Sequence, residues 1–212
     1  MIFLKAGDPF PPVENADEQG LLAVGGELNV NSLISAYRQG IFPWYDSSQP
    51  VLWWSPNPRM VLFPEKLKVS KSMKQLLKKD AFKVTFNGAF GEVLENCANI
   101  KRPGQDGTWI TDEIQDQYQK LHELNIAQSV EVWRDGKLVG GIYGIYLRDK
   151  KIFCGESMFA KASNASKFGF IKLVEKLRKE GIKLIDCQIY TDHLASLGAK
   201  EIPRKEFMKF LA

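Results

Sequence analysis

Cysteine is scarce in this 212-residue chain: Cys97, Cys154 and Cys187 stand alone, in no disulfide-like or zinc-like spacing. That excludes a disulfide-stapled secreted scaffold and a zinc-ribbon architecture. It suits a reducing compartment, so the chain is read as cytoplasmic, and no metal site is expected. Histidine is scarcer still, with His122 and His193 alone. His122 falls on a predicted helix and reads as exposed; His193, following Asp192, reads either as a base or as a cap of a short helix, the cap being preferred. No apolar run approaches the ~18 residues that span a bilayer, and no basic-then-apolar leader opens the chain, so no membrane partner is expected. Internal repeats and low-complexity tracts are missing. Neither sign of charge dominates: 29 Lys and Arg against 25 Asp and Glu leave +4, which permits a nucleic-acid partner without demanding one. No P-loop occurs. VGGIYG at 139–144 lies in a predicted strand, not in the strand–turn–helix context of a dinucleotide fingerprint.

Aromatic residues, by contrast, are concentrated. Residues 40–59, GIFPWYDSSQPVLWWSPNPR, hold four prolines and three tryptophans. Prolines confine such a stretch to short or edge strands. Its rings fit either a stacking surface or an inter-domain core. Before it, residues 1–20 read as an extended arm, Gly25-Gly26 as a turn, and Asn31 as the cap of a helix through Gln39. After it come a strand at 60–63 and a helix at 70–79. That helix turns Met73, Leu76 and Leu77 inward and Lys71, Lys74 and Lys78 outward, with Lys79 beside them. A lysine face of this kind is either merely solvated or a phosphate contact. A strand at 82–86, a helix at 89–99, a loop at 101–107 and a helix at 112–124 come next, the last capped near Thr111.

From Ser129 the period changes to that of strands. SVEVW, KLVGGIYGIYL and IFCGESMF form an antiparallel meander around a turn at Asp135-Gly136. A helix at 164–180, capped by Ser163 or Asn164, leads to the strand LIDCQ at 184–188. Strict alternation puts Asp186 and Gln188 on one face and Cys187 on the other. It also puts Ile152, Cys154, Glu156 and Met158 on a single face. Asp is a poor strand former, and a buried charge is costly unless paired. Asp186 is therefore either bonded to backbone at the strand's end or part of a reactive site. If the strand at 152–159 neighbours LIDCQ, Glu156 lies beside Asp186 or Gln188, and two close carboxylates push one pKa up. The placing of Cys187 away from Asp186 argues against a Cys–His nucleophile.

Meander, helix, strand and short helix are the element order of GNAT-type acyltransferases. The expected fold is therefore α+β: a small N-terminal α/β domain over 1–64, then a GNAT-like domain over 65–212 with a mixed, largely antiparallel sheet. The division falls somewhere within 65–110. Ordinary GNAT enzymes hold coenzyme A with a Q/R-x-x-G-x-G/A loop; here AKASNASK stands in that place, so acyl-CoA is not the expected donor.

The motifs GLLAVGGELN, GIFPW, WWSPNPR, GTWIT, LVGGIYG, FCGESMF, NASK, LIDCQ and HLASLGAKEIPR closely resemble the leucyl/phenylalanyl-tRNA–protein transferase family, from about residue 20 onward. The resemblance implies transfer of Leu or Phe, and less readily Met, from aminoacyl-tRNA to proteins beginning with Arg or Lys. Those proteins are thereby marked for N-degron proteolysis, with no cofactor and by a monomer. It implies catalytic roles for Asp186, Gln188 and Glu156, with Asp186 orienting Gln188 to help deprotonate the acceptor amine. It places Trp44 and Trp109 around the 3′-terminal adenosine, Met158 and Ser157 at the side-chain pocket, and Tyr37 and Tyr118 at the acceptor. Lys71, Lys74, Lys78 and Lys79 would contact the acceptor stem. Two departures stand out. Thr191 replaces a common Asn, and the chain stops soon after IPRKEF, where acceptor contacts from a longer tail would be missing. An acetyl-CoA-dependent N-acetyltransferase and a non-enzymatic binder of RNA ends remain the alternatives that element order and the Trp-rich loop allow.

Overall fold

Prolines and glycines divide the chain into a short-stranded first part and a long-stranded second part. The computed structural model describes residues 1–100 and 108–212; the loop expected at 101–107 lies outside them. The first sheet holds β1 (Phe3–Leu4), β2 (Leu21–Gly25), β3 (Phe42–Pro43) and β4 (Leu52–Trp54), in the order β1-β2-β4-β3. Helix α1 (Val30–Arg38) joins β2 to β3. Its cap is Asn29, not Asn31. Asn29 and Ser32 each accept the other's backbone N–H at 2.9 Å, a reciprocal box that fixes the start two residues earlier.

The second sheet runs β11-β5-β10-β9-β8-β7-β6. Its strands are β5 (Arg59–Leu62), β6 (Lys83–Phe86), β7 (Ala127–Arg134), β8 (Lys137–Leu147), β9 (Ile152–Ala160), β10 (Leu184–Gln188) and β11 (Lys200–Ile202). Only β9 and β10 run parallel; the other neighbours are antiparallel. The helices between them are α2 (Lys71–Lys78), α3 (Phe90–Asn99), α4 (Asp112–Glu123), α5 (Ala165–Lys179), α6 (Asp192–Ser196) and α7 (Arg204–Met208). The protein is thus α+β with a mixed, largely antiparallel sheet, and the expected order of meander, helix, strand and short helix is present. Strand β5 reaches this sheet from the stretch just after the tryptophans and pairs with β10 on one side and β11 on the other.

Each face of the large sheet has its own core. On one side Ile152, Cys154 and Leu184 pack with Val93 and Leu94 of α3, Ile114 and Leu121 of α4, and Leu33 and Trp53 of the first sheet's layer. On the other, Phe153 and Ile185 meet Phe170, Leu173, Val174 and Leu177 of α5. These four sit at i, i+3, i+4 and i+7, one stripe of a helix, and burying each contributes ~1.5–3 kcal/mol. Helix α2 fastens to α5 through Met73 against Phe168 and Ile171.

Two β-bulges, one in β9 and one in β10, break the alternation expected around the site; a third, in β8, leaves Val139 extra opposite Val132 and Trp133. In β9 the register passes from Tyr143↔Ser157 to Gly144↔Gly155, leaving Glu156 as the extra residue. In β10 it passes from Asp186↔Val61 to Gln188↔Met60, leaving Cys187 extra. A bulge adds one residue and re-aims the side chains beyond it. The single face expected for Ile152, Cys154, Glu156 and Met158 is therefore corrected: Met158 joins Phe153 on the α5 side, while Ile152 and Cys154 stay on the other. Gly144 lets the strands close at this point, since a Cβ there would lie 2.3 Å from the Cys154 carbonyl oxygen. His122 is not free on its helix as expected. It stacks on Phe90 at 4.2 Å, and its Nδ1 lies 2.9 Å from the Ala127 carbonyl oxygen.

Candidate active site

Strands β9 and β10 stay paired only from Leu184↔Ile152 to Asp186↔Cys154. Beyond Asp186 they part, and a cleft of about 700 Å³ opens between them. Its floor is apolar: Ile142, Phe153, Met158, Phe170, Ile185 and Leu194. Its polar wall carries Glu156, Ser157 and Gln188, and its rim carries Trp44 and Trp109. An apolar cavity with a few converging polar groups is what a small-molecule or chain-end site requires.

The polar wall is a connected chain. Gln188 Nε2 donates to Glu156 Oε1 at 2.9 Å. Tyr118 donates to Glu156 Oε2 at 3.0 Å, and Tyr37 hydrogen-bonds Tyr118. Both tyrosines are buried behind the cleft rather than on it. Burial, with Glu156 adding to it, holds both phenols well above their usual range, so they remain protonated donors. Burial also pushes the Glu156 carboxyl up from 4.5 to about 7. The Tyr37, Tyr118 and Gln188 hydrogen bonds oppose that rise and the charge of Asp186 adds to it. The wall thus holds a carboxyl that changes charge near neutrality, with a fixed amide beside it.

Asp186 lies elsewhere than strand alternation implies. It is 1% exposed and takes no part in the cleft lining. Its two oxygens accept from Arg59 Nε and Nη2 at 2.8 and 2.7 Å. Its Oδ1 also accepts the backbone N–H of Gln188 at 3.0 Å. Gln188 has φ 65°, a left-handed backbone. The expectation that Asp186 and Gln188 share one face is thereby corrected: the bulge turns Gln188 into the cleft and leaves Asp186 behind it. Cys187 and Ile189 reach the cleft as well. Burial, with Asp186 adding, pushes the Cys187 thiol far up, so it offers no thiolate.

The aromatic stretch divides between the two roles open to it. Trp53 is 1% exposed and donates to the Gly25 carbonyl at 2.8 Å, inside the core. Trp44 is 40% exposed at the cleft's rim, 5.7 Å from the Trp54 ring, and Trp54 Nε1 donates to its carbonyl at 2.7 Å. Lys71, Lys74, Lys78 and Lys79 are exposed along α2 and lie outside the cleft lining. His193 is a correction. Thr191 caps α6 by accepting from Leu194 N. His193 instead lines the cleft, its Nε2 buried and without a hydrogen-bond partner among the described residues. Burial first, then nearby Lys167, lowers its pKa and keeps the ring neutral. The Asn164 at the start of α5 adopts φ 66° and makes no side-chain cap bond, so the expected cap there is absent. Among the described residues no three His, Cys, Asp or Glu side chains gather as a metal-binding group, and no helix is long and apolar enough to cross a membrane.

Sequence reasoning missed Arg59. The signal was available: an Arg immediately before the apolar MVLF, and an Asp in a core strand that needed a cation, because buried charges come paired.

A sheet parted at a parallel strand pair, with an acid and an amide facing into an apolar gap, is a site suited to acyl transfer onto an amine. Comparison with known proteins makes this specific. The family model for leucyl/phenylalanyl-tRNA protein transferase matches residues 61–212, and that for its N-terminal domain matches 26–57. The leucyl/phenylalanyl-tRNA–protein transferase of Christiangramia forsetii is 66% identical over 211 residues, covering 100% of both chains. That of Flavobacterium johnsoniae is 57% identical, covering 95% of this chain and 94% of its own. That of Stutzerimonas stutzeri is 52% identical, covering 100% and 94%. The chain belongs to the leucyl/phenylalanyl-tRNA–protein transferase family, and as a member it is an aminoacyltransferase that moves an aminoacyl group from tRNA to protein. This sets aside the acetyl-CoA and non-enzymatic alternatives.

The raised Glu156 pKa has a consequence for stability. Between pH 4.5 and about 7 the folded protein keeps a proton that the unfolded chain has released. Stability conferred at low pH is therefore lost as pH rises through that window, and is level above it. Glu156→Gln abolishes this dependence. Urea denaturation should show the variant gaining on the wild type by ~2 kcal/mol between about pH 5 and pH 8; a constant difference contradicts the assignment.

Proposed function

We propose that this cleft transfers Leu or Phe, and less readily Met, from aminoacyl-tRNA to the α-amino group of proteins beginning with Arg or Lys. The product is marked for N-degron proteolysis, and the enzyme acts as a monomer in the cytoplasm. The observation that carries the reading is the Glu156–Gln188 pair set at the wall of an apolar cleft rimmed by Trp44 and Trp109.

In this reading the unbranched or γ-branched side chain of the donor lies on Met158, Phe153 and Phe170, beside Ser157. Trp44 and Trp109 stack on the terminal adenosine, which needs no base pairing to be read. The acceptor amine arrives largely as an ammonium cation. Ionised Glu156 attracts it, the Gln188 amide fixes the carboxylate, and Tyr118 with Tyr37 behind it holds the other oxygen. Glu156 takes the proton, the amine attacks the ester carbonyl, the C–N bond forms and the C–O bond to the ribose breaks. As the amide forms, the nitrogen gives up a second proton, which passes to the ribose oxygen; the first leaves Glu156 for solvent and restores the carboxylate. The ester is already activated, so most of the acceleration comes from orientation and exclusion of water. The lysines of α2 reach phosphates of the acceptor stem from outside the cleft.

The direct assay incubates the protein with radiolabelled Phe-tRNA and a peptide beginning with Arg. Label at the peptide's N-terminus is expected; its absence overturns the reading. Replacing Lys74 and Lys78 by Ala should weaken tRNA binding and reduce the slope of log K against log salt by ~1 per lost phosphate contact. An unchanged slope removes α2 from the interface.

A further inference from the structure

Arg59 does not itself line the cleft, yet it joins groups that the cleft depends on. It is 1% exposed. Two of its nitrogens grip Asp186, and Nη1 donates to the Gly40 carbonyl at 3.2 Å. The guanidinium lies between the Phe42 and Phe207 rings, 4.8 and 4.7 Å from their centres. Burial alone would weaken its charge, but Asp186 outweighs burial and the group stays ionised.

A pair this deep is a poor device for stability. Desolvating two ions offsets much of their attraction, and apolar residues of the same volume often do as well. Its geometry suggests another use. Gln188 is a non-glycine residue at φ 65°. Such backbone is strained and persists only where its surroundings hold it. What holds it is Asp186 Oδ1, the same atom that takes Arg59 Nε. Any shift of the guanidinium therefore moves the Gln188 backbone, and with it the amide that reaches Glu156. Gly40 and Phe42 tie the same group to the strand that leads to Pro43 and Trp44 on the cleft's rim.

We propose that Arg59 is a positioning residue for acyl transfer: through Asp186 it keeps Gln188 in the bulge that aims its amide at Glu156. The assignment rests on the transfer reaction proposed above. Lysine cannot substitute, because a point charge cannot reproduce the fork on two carboxylate oxygens.

The test uses the full chain, Phe-tRNA and an Arg peptide. Arg59→Lys should lower kcat ~10–100-fold, the scale of a displacement near 1 Å, and leave KM for Phe-tRNA within about threefold. Gln188→Ala and the double variant Arg59→Lys with Gln188→Ala should have the same kcat, because both changes act on one amide. An unchanged kcat in Arg59→Lys, or losses that multiply in the double variant, overturns the proposal. If Arg59→Lys does not fold, Phe207→Leu loosens one side of the stack and keeps the fork. It should lower kcat by about threefold, again with no further loss on top of Gln188→Ala; an additive loss overturns the proposal equally. A wild-type protein without transfer activity would instead refute the function itself, so the two failures are distinct.

Discussion

The Arg59–Asp186 pair is the constraint around which this structure is arranged. One guanidinium links the end of α1, strand β3, strand β10 and helix α7. Two of these carry the cleft. The pair cannot be loosened at one end without leaving a buried charge at the other, which costs several kcal/mol. It therefore behaves as a rigid joint, and rigidity where β9 and β10 separate is what a site made of two side chains from different strands needs.

The site itself comes from two irregularities where β9 and β10 part. A parallel pair that stops after three residue partners leaves room for a substrate. A bulge on each of the parting strands turns one polar side chain into that room: Glu156 from β9 and Gln188 from β10. Neither strand could present these groups and still complete its apolar faces if its alternation were unbroken. The buried tyrosines behind Glu156 then serve a clear end. They supply donors in a region where water is excluded, so the carboxyl can ionise near pH 7 rather than remain an acid throughout.

Much of this was legible in the residues. The meander, α5 and LIDCQ are written in simple periodicities, and the order of elements by itself implies a mixed sheet. Trp44, Trp109, Glu156, Met158 and Gln188 were named from motifs, and all five line one cleft. What could not be read was where alternation fails. A bulge leaves little trace in a strand's own sequence, since its cause lies in partners such as Gly144 and Val61. For the same reason Asp186 was placed on the reacting face, when its role is set by an Arg that precedes it by 127 positions. The cap of α1 was misplaced by two residues because Asn29 and Asn31 are equally good cap residues in isolation, and only Ser32 decides between them. His193 looked like a helix-start residue because Thr191, two positions earlier, was not credited with that task.

The central claim is that Glu156 receives the acceptor amine as a carboxylate poised near neutrality. Carbon-13 NMR of the Glu156 side-chain carboxyl, assigned by comparison with Glu156→Gln, tests it most directly. The account predicts a titration midpoint close to 7 in the free protein. It also predicts a clear fall in that midpoint when a peptide beginning with Arg is bound, because a neighbouring cation favours the ionised form. A midpoint in the ordinary carboxylate range, or one that the peptide leaves unmoved, would contradict it.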